Sequence, residues 1–530
     1  MSRTLGVALA LLLMLTSAIG FAPAGAAQEQ AAGGEITVGL DFEPDNLDPH
    51  VTPYAVAHTV MMNIYDPLVW RDNEGAFQPG LAETWEVSED GTEFTFHLRE
   101  GVTFHDGTPF DAEAVKFNFD RIADPATQSG FASTLLGPYD HSEVVDPLTV
   151  KVVFSAPAPG FLDGASQAFL GMVSPTAAQA SGPDFGRNPV GTGFMKFVEW
   201  APQDHITLER NADYAWAPPI FGHEGPAYLD RVTFRFYAEG PTRLAALQAG
   251  DADVIDNVLN SDLLLLEGDS AFGVLRADAI GLPIVILLNT NAAPTNDVAV
   301  RQAINFALDR QQVVDIAMFG GAQPATGPLA PGTPYYSAEV EGLYPFDLAK
   351  AAEVLDAAGW TMGDGGIREK DGTPLVISWA VTPWDAPWAE LVQAQLTQIG
   401  ADIQITQMAD AAALEAMIAD EINMYSTAWA SSDPVVLSTV FHSSNIDGGS
   451  ALTKYADPDL DAFLESGESS IDEAARTEAY AGAQRLIMEQ AIIAPVSLWP
   501  QHVAYASDVT GLGRDFRNYL WLYDAAVAAE

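Results

Sequence analysis

"TWEVSEDGTEFTFHLREGVTFHDGTPFDAEAVKFNFDRI", Thr84–Ile122, changes its pattern midway. Through Glu93–Leu98 apolar and polar residues alternate, the period of a strand with one buried face. Glu89-Asp90-Gly91 and Asp106-Gly107 are turn signals. After Asp111 the pattern becomes helical, with Asp111 placed as the N-cap. The stretch therefore predicts a hairpin feeding a helix.

Outward from it, strands and helices alternate along the chain. "EITVGLDFEPDNLDPH" reads as a buried strand running into a turn-rich loop at Glu43–Pro49. "LTVKVVFSAP" and "DHITLERNADYAW" are strands, and "NPVGTGFMKFVEW" is a glycine-rich turn followed by a strand. "RVTFRFYAEGPTRLAALQAGDADVI" is strand, helix, strand. New helices are expected over Val298 to Phe319 and Asp347 to Ala358, and "GLPIVILLNTN", "ISWAVTPWDAPW" and "ADIQITQM" carry further strands. This alternation predicts an α/β class with mixed α+β sheets.

Composition bounds the function. The 530 residues are 48% hydrophobic, enough for two or three domains of ~100–200 residues each. Met1–Gln30 carries Arg3 ahead of an apolar run from Leu5 to about Phe21, followed by recurring Ala-x-Ala, the pattern of a secretory signal peptide cleaved near Ala26 or Ala27. The count of cysteines is zero, which removes disulfides, thiolate metal sites and the cysteine that a lipoprotein needs. A periplasmic protein fits these features. Acidic residues outnumber basic ones 72 to 23, for a formal net charge of −49, so nucleic acid and anionic membranes are poor partners.

The site chemistry points away from catalysis and metals. His97 and His105 lie in the hairpin segment, and the nine histidines form neither a His-Glu-x-x-His helix nor a pair at zinc spacing, so no metal and no cofactor are expected. "DPDLDAFLESGE" places Asp457, Asp459, Asp461 and Glu468 at calcium-loop offsets. Ala462 stands where that loop needs glycine, and Pro458 with Leu460, Phe463 and Leu464 reads instead as a capped amphipathic helix. No Gly-x-Ser-x-Gly elbow is present, and a secreted hydrolase stays only as the alternative class.

Read together, Leu81–Arg121, "NPVGTGFMKFVEW", "ERNADYAW", "LQAGDADV", "VRQAINFALDR" and "YPFDLAKAAEVLDAAGW" resemble the family-5 bacterial extracellular solute-binding proteins. The resemblance covers essentially the whole mature chain, in order. It implies a two-lobed periplasmic binding protein of type II, in its large variant with an extra inserted domain. Residues 28–70, 190–281 and 493–530 would form the first lobe, 71–189 the inserted domain and 282–492 the second lobe. "GLPIVILLNTN" and "QAIIAPVSLWP" are the crossover candidates, since uninterrupted apolar runs suit strands buried on both faces. Closure of the lobes about a hinge would capture a small solute, peptide or peptide-like, for an inner-membrane ATP-binding-cassette permease. The family's habit is monomeric.

Candidate ligand residues follow. In "EPDNLDPH" and just beyond it, Asp45, Asn46 and Tyr54 would act from the first lobe, although Asp48-Pro49 could equally set a simple turn. The turn at Gly191 and Gly193 has amides that could face the cleft. In the second lobe, Trp379 reads as core, Trp384 and Trp388 as loop residues beyond a strand, and Trp429 as the best ligand-stacking ring. The resemblance also implies an aspartate a few residues after this tryptophan, pairing with a peptide's α-ammonium. Here "WASSDP" has Ser432 at that offset, with Asp433 one residue later and Ser431 before it. Either the loop shifts and Asp433 makes that pairing, or the contact is not used at all; Ser431, Ser432 and Asp433 are expected at the ligand's polar head. The serine favours modified peptides, opines, sugar conjugates or other polar solutes, a nickel complex among them, over plain dipeptides.

Overall fold

The computed structural model describes residues 33–528. The expected signal segment lies outside them.

The opening stretch folds as its pattern predicts. Ala82–Val87 and Glu93–Leu98 pair as an antiparallel hairpin, extended by Thr149–Phe154 and Tyr139–Asp146 into a four-stranded sheet. Gly91 closes the turn at φ +69°, a left-handed conformation that glycine adopts without cost. Helix Ala112–Ala123 follows, and the Asp111 carboxylate accepts the Ala114 amide at 3.0 Å.

A seven-stranded sheet forms the first lobe. Its order is Phe272–Leu275, Val503–Ala506, Val254–Ile255, Glu35–Leu40, Arg231–Phe236, His205–Arg210 and Met195–Ala201. Glu35–Leu40 lies parallel to both Arg231–Phe236 and Val254–Ile255, so the following loops emerge at one end of the sheet. One continuous apolar core joins this sheet to the four-stranded one.

The second lobe is built on a five-stranded sheet in the order Asp402–Gln407, Val376–Val381, Met424–Ala430, Gly281–Leu288 and Ile493–Ser497. The apolar run in Gly281–Leu288 has the anticipated cause. Ile284, Ile286 and Leu288 enter the core on one face with Ala494 and Val496, while Val285 and Leu287 enter the core on the other with Ile493. Because Ile493–Ser497 pairs with Gly281–Leu288, the chain leaves this sheet after Ser497. The expected boundary at 492/493 falls before a strand that completes the second lobe's sheet.

Two further local differences have simple reasons. The Val298 to Phe319 region is two helices, Val298–Ala307 and Arg310–Ala317, because Asp309 accepts the Gln312 amide at 3.0 Å and starts a new one. Trp388 is in helix Ala386–Thr397, not in a loop: Pro387 suits the first turn, and the ring packs against Trp379 in the core. The calcium-loop decoy is helix Pro458–Ser469, with the Asp457 carboxylate accepting the Asp459 amide at 2.9 Å.

Candidate functional site

In each lobe, parallel strands end in loops that carry the sequence candidates. After Glu35–Leu40 comes the loop carrying Asp45, Asn46 and Tyr54, and after Val254–Ile255 comes Asp256, whose neighbour Asn257 donates to Asp41 at 2.7 Å. In the second lobe, Val376–Val381 and Met424–Ala430 run parallel and end at Trp384 and at Trp429–Asp433. Crevices at the carboxyl ends of parallel strands collect ligands because loops there are free to diverge. Four large rings stand exposed on these loops: Phe42 and Tyr54 on the first lobe, Trp384 and Trp429 on the second. An exposure of 47% for Trp429 and 57% for Tyr54 leaves both rings free to contact a solute.

Where the lobes meet, a cleft of about 930 Å³ opens between the inserted domain and the second lobe. Arg71, Phe77 and Asp163 line one wall, Tyr335, Asp433 and Arg476 the other, with Phe516 from the C-terminal segment. Ser432 and Asp433 reach this lining; Trp429, Ser431, Trp384, Tyr54, Asp45 and Asn46 lie outside it.

At the base of the cleft Asp163 is 8% exposed and holds two guanidinium groups. Arg71 pairs with it, and Arg517 donates to its carboxylate at 3.0 Å and to the Ser166 hydroxyl at 2.8 Å. The Ser432 hydroxyl donates to Asp163 at 2.5 Å and accepts from Arg517 Nε at 3.0 Å. Burial pushes the Asp163 carboxyl up, but Arg517, Arg71 and the Ser432 hydroxyl outweigh it and hold the group below the usual carboxylate range. Arg71 also sits over the Phe516 ring, 4.2 Å from its centroid. Asp433 takes a different environment: its carboxylate accepts the Val435 amide at 2.9 Å, with Arg476 3.8 Å away. Burial pushes it up, and the charge of Asp163 adds to the effect against Arg476 and Arg71. Beyond Arg517, burial and then Asp515 push the Tyr519 hydroxyl up to about 12.

The remaining sequence candidates are committed locally. Asp45 accepts the Thr52 hydroxyl at 2.5 Å and Asn46 accepts the Asp48 amide at 2.9 Å. Asp48 itself is buried on Arg121 at 2.9 Å, so the loop "EPDNLDPH" is a pinned scaffold that presents Tyr54. Ser431 donates to the Asp433 carbonyl at 2.7 Å and shapes the turn. The Gly191 and Gly193 turn does not open onto the cleft. The Gly193 amide bonds the Ile64 carbonyl at 2.8 Å, and a Cβ at either glycine would collide with the end of helix Ala55–Ile64.

Sequence reasoning missed Arg71, Asp163, Arg476 and Arg517. They come from separate parts of the chain, Asp163 being 92 residues from Arg71 and 354 from Arg517, and no local pattern distinguishes them. The one signal available was scarcity: with only 23 basic residues in the chain, buried arginines stand out as partners of buried acids.

The comparisons agree with this architecture. The family model described as "Bacterial extracellular solute-binding proteins, family 5 Middle" matches residues 76–448. The glutathione-binding protein GsiB of Shigella flexneri is 30% identical over 511 residues, which is 93% of this chain and 94% of that protein. Among solved structures, HbpA2 from Haemophilus parasuis aligns with a TM-score of 0.81 at 26% identity, covering 94% of this chain and 100% of the other. NikA from Brucella suis, in complex with Fe(III)-EDTA, aligns with a TM-score of 0.80 at 28% identity, covering 92% and 98%. The chain therefore belongs to the family-5 bacterial extracellular solute-binding proteins.

Proposed function

We infer that this receptor captures a peptide or peptide-like small solute between its lobes and delivers it to an inner-membrane ATP-binding-cassette permease. The observation that carries the reading is the interlobe cleft, with exposed rings at the strand ends of both lobes and charged groups of both signs at its base. Trp429, Trp384 and Tyr54 lie outside the cleft lining, so their rings meet the part of the solute that extends beyond it, Tyr54 from the scaffold that Asp45 and Asn46 hold. Asp433, whose nearest cation is 3.8 Å away, receives a donor from the solute's polar head, with Ser431 fixing the turn. Ser432 has its hydroxyl committed to protein groups, so a free α-ammonium has no carboxylate of its own at that position.

A modified peptide suits this arrangement better than a plain dipeptide. The 30% identical relative named as glutathione-binding supports a peptide-like solute. The signal-peptide pattern of Met1–Gln30 and the family support a protein that acts in the periplasm, as a monomer. The test is the mass of the small molecule released when gently purified protein is unfolded. A peptide-like mass supports the reading; a metal chelate or a sugar would redirect it, and turnover of ester or peptide substrates by pure protein would favour the hydrolase alternative.

A further inference from the structure

The four groups at the base of the cleft divide unequally between the moving parts. Asp163, Arg71 and Arg517 all belong to the first lobe and its inserted domain, so their ion pairs persist whatever the second lobe does. The second lobe contributes one neutral side chain, Ser432, which is buried where the lobes meet. Its hydroxyl donates to a carboxylate of the inserted domain and accepts from a guanidinium of the C-terminal segment, satisfying both.

The charges around it already balance. Arg71 and Arg517 face Asp163 and Asp515, and the adjoining pair in the second lobe is Arg476 with Asp433. A neutral hydroxyl arriving at such a cluster leaves no charge uncompensated. A carboxylate arriving in its place would meet Asp163 at hydrogen-bond distance, and the closed state would then need an added cation.

Resting on the receptor reading above, we propose that Ser432, Asp163, Arg71 and Arg517 form a charge-balanced latch that closes the two lobes without a cationic group from the solute. Ser432 is thus a positioning residue that sets specificity: it makes closure indifferent to a free ammonium at this point, and solutes are selected by contacts elsewhere in the cleft. The closed form is populated in solute-free protein, because the latch is complete without ligand.

The absence of cysteine permits a clean test. Dyes are attached at Glu113→Cys on the inserted domain and Glu478→Cys on the second lobe, both exposed, and energy transfer is measured on full chain stripped of solute by unfolding and refolding. A compact population is expected without any solute. Ser432→Ala should lower the closed-to-open ratio about fivefold, the scale of one or two lost hydrogen bonds. Ser432→Asp should lower it by at least about tenfold through like-charge repulsion. Combining Ser432→Asp with Asp163→Asn removes the extra charge and should restore it. A solute-free protein that is fully open, single variants that leave the ratio unchanged, or a double variant as open as Ser432→Asp would each overturn the latch. Because no solute enters the measurement, its failure leaves the receptor reading standing, and failure of the receptor reading would appear separately as absent solute binding.

Discussion

Trp429 and Asp163 separate what a surface residue and a buried one contribute. Trp429→Ala should weaken solute binding at least about tenfold, ~1.4 kcal/mol by calorimetry, while thermal unfolding in the absence of solute stays unchanged. Asp163→Ala should lower stability itself. It strands Arg71 and Arg517, themselves 10% and 7% exposed, without their shared counter-charge, at a cost of ~3–5 kcal/mol in denaturant unfolding. His105 offers a pH test. Burial pushes it down to about 4, against the pull of the Gly193 carbonyl, which its ring contacts at 2.8 Å. A histidine that folds neutral contributes stability that is present above its unfolded pKa of about 6.5 and is lost as pH falls toward 4. His105→Gln removes that loss, so its stability relative to the parent should rise as pH is lowered from 6.5 to 4. At this scale the sequence was half legible. Trp379 as core followed from its place inside an apolar strand, and Asp111 as cap from the change of period. The contacts of Asp163 were illegible, because Arg71 is 92 residues away and Arg517 354.

The hairpin and its helix show how a local pattern acquires a long-range role. Asp111→Ala should cost about 1 kcal/mol through loss of the cap on helix Ala112–Ala123. Gly91 carries two constraints together. Its φ of +69° disfavours any other residue, and a Cβ there would strike Ile471 of the second lobe. Gly91→Ala should therefore destabilise the turn by about 1 kcal/mol and also hold the lobes apart, read as weaker solute binding alongside the lower unfolding midpoint. The turn itself was visible in Glu89-Asp90-Gly91. Its contact with Ile471 was not, since strand periodicity reports which face is buried, not what arrives on the other side of a cleft. The same limit explains Trp388: the run of Pro and Trp read as loop, whereas Pro387 in a first turn starts a helix whose ring faces the core.

For the whole molecule, the groups that meet between the lobes are committed unevenly. The first lobe, its inserted domain and the C-terminal segment hold Asp163, Arg71 and Arg517, and the second lobe brings Ser432, the Arg476–Asp433 pair and two exposed rings. The fold was legible because buried crossover strands and cap-and-turn chemistry are local properties; the exit after Ser497 was misplaced because that strand's core-facing pattern continues unbroken from Ile492. The central claim is that this protein is a receptor for a peptide-like solute, and thermal unfolding across a panel of plain dipeptides, tripeptides and modified peptides, glutathione included, tests it most directly. A bound member at 100 times its dissociation constant adds about 2.7 kcal/mol, so at least one modified peptide should raise the unfolding midpoint clearly and more than any plain dipeptide. A midpoint that no member moves would contradict the account.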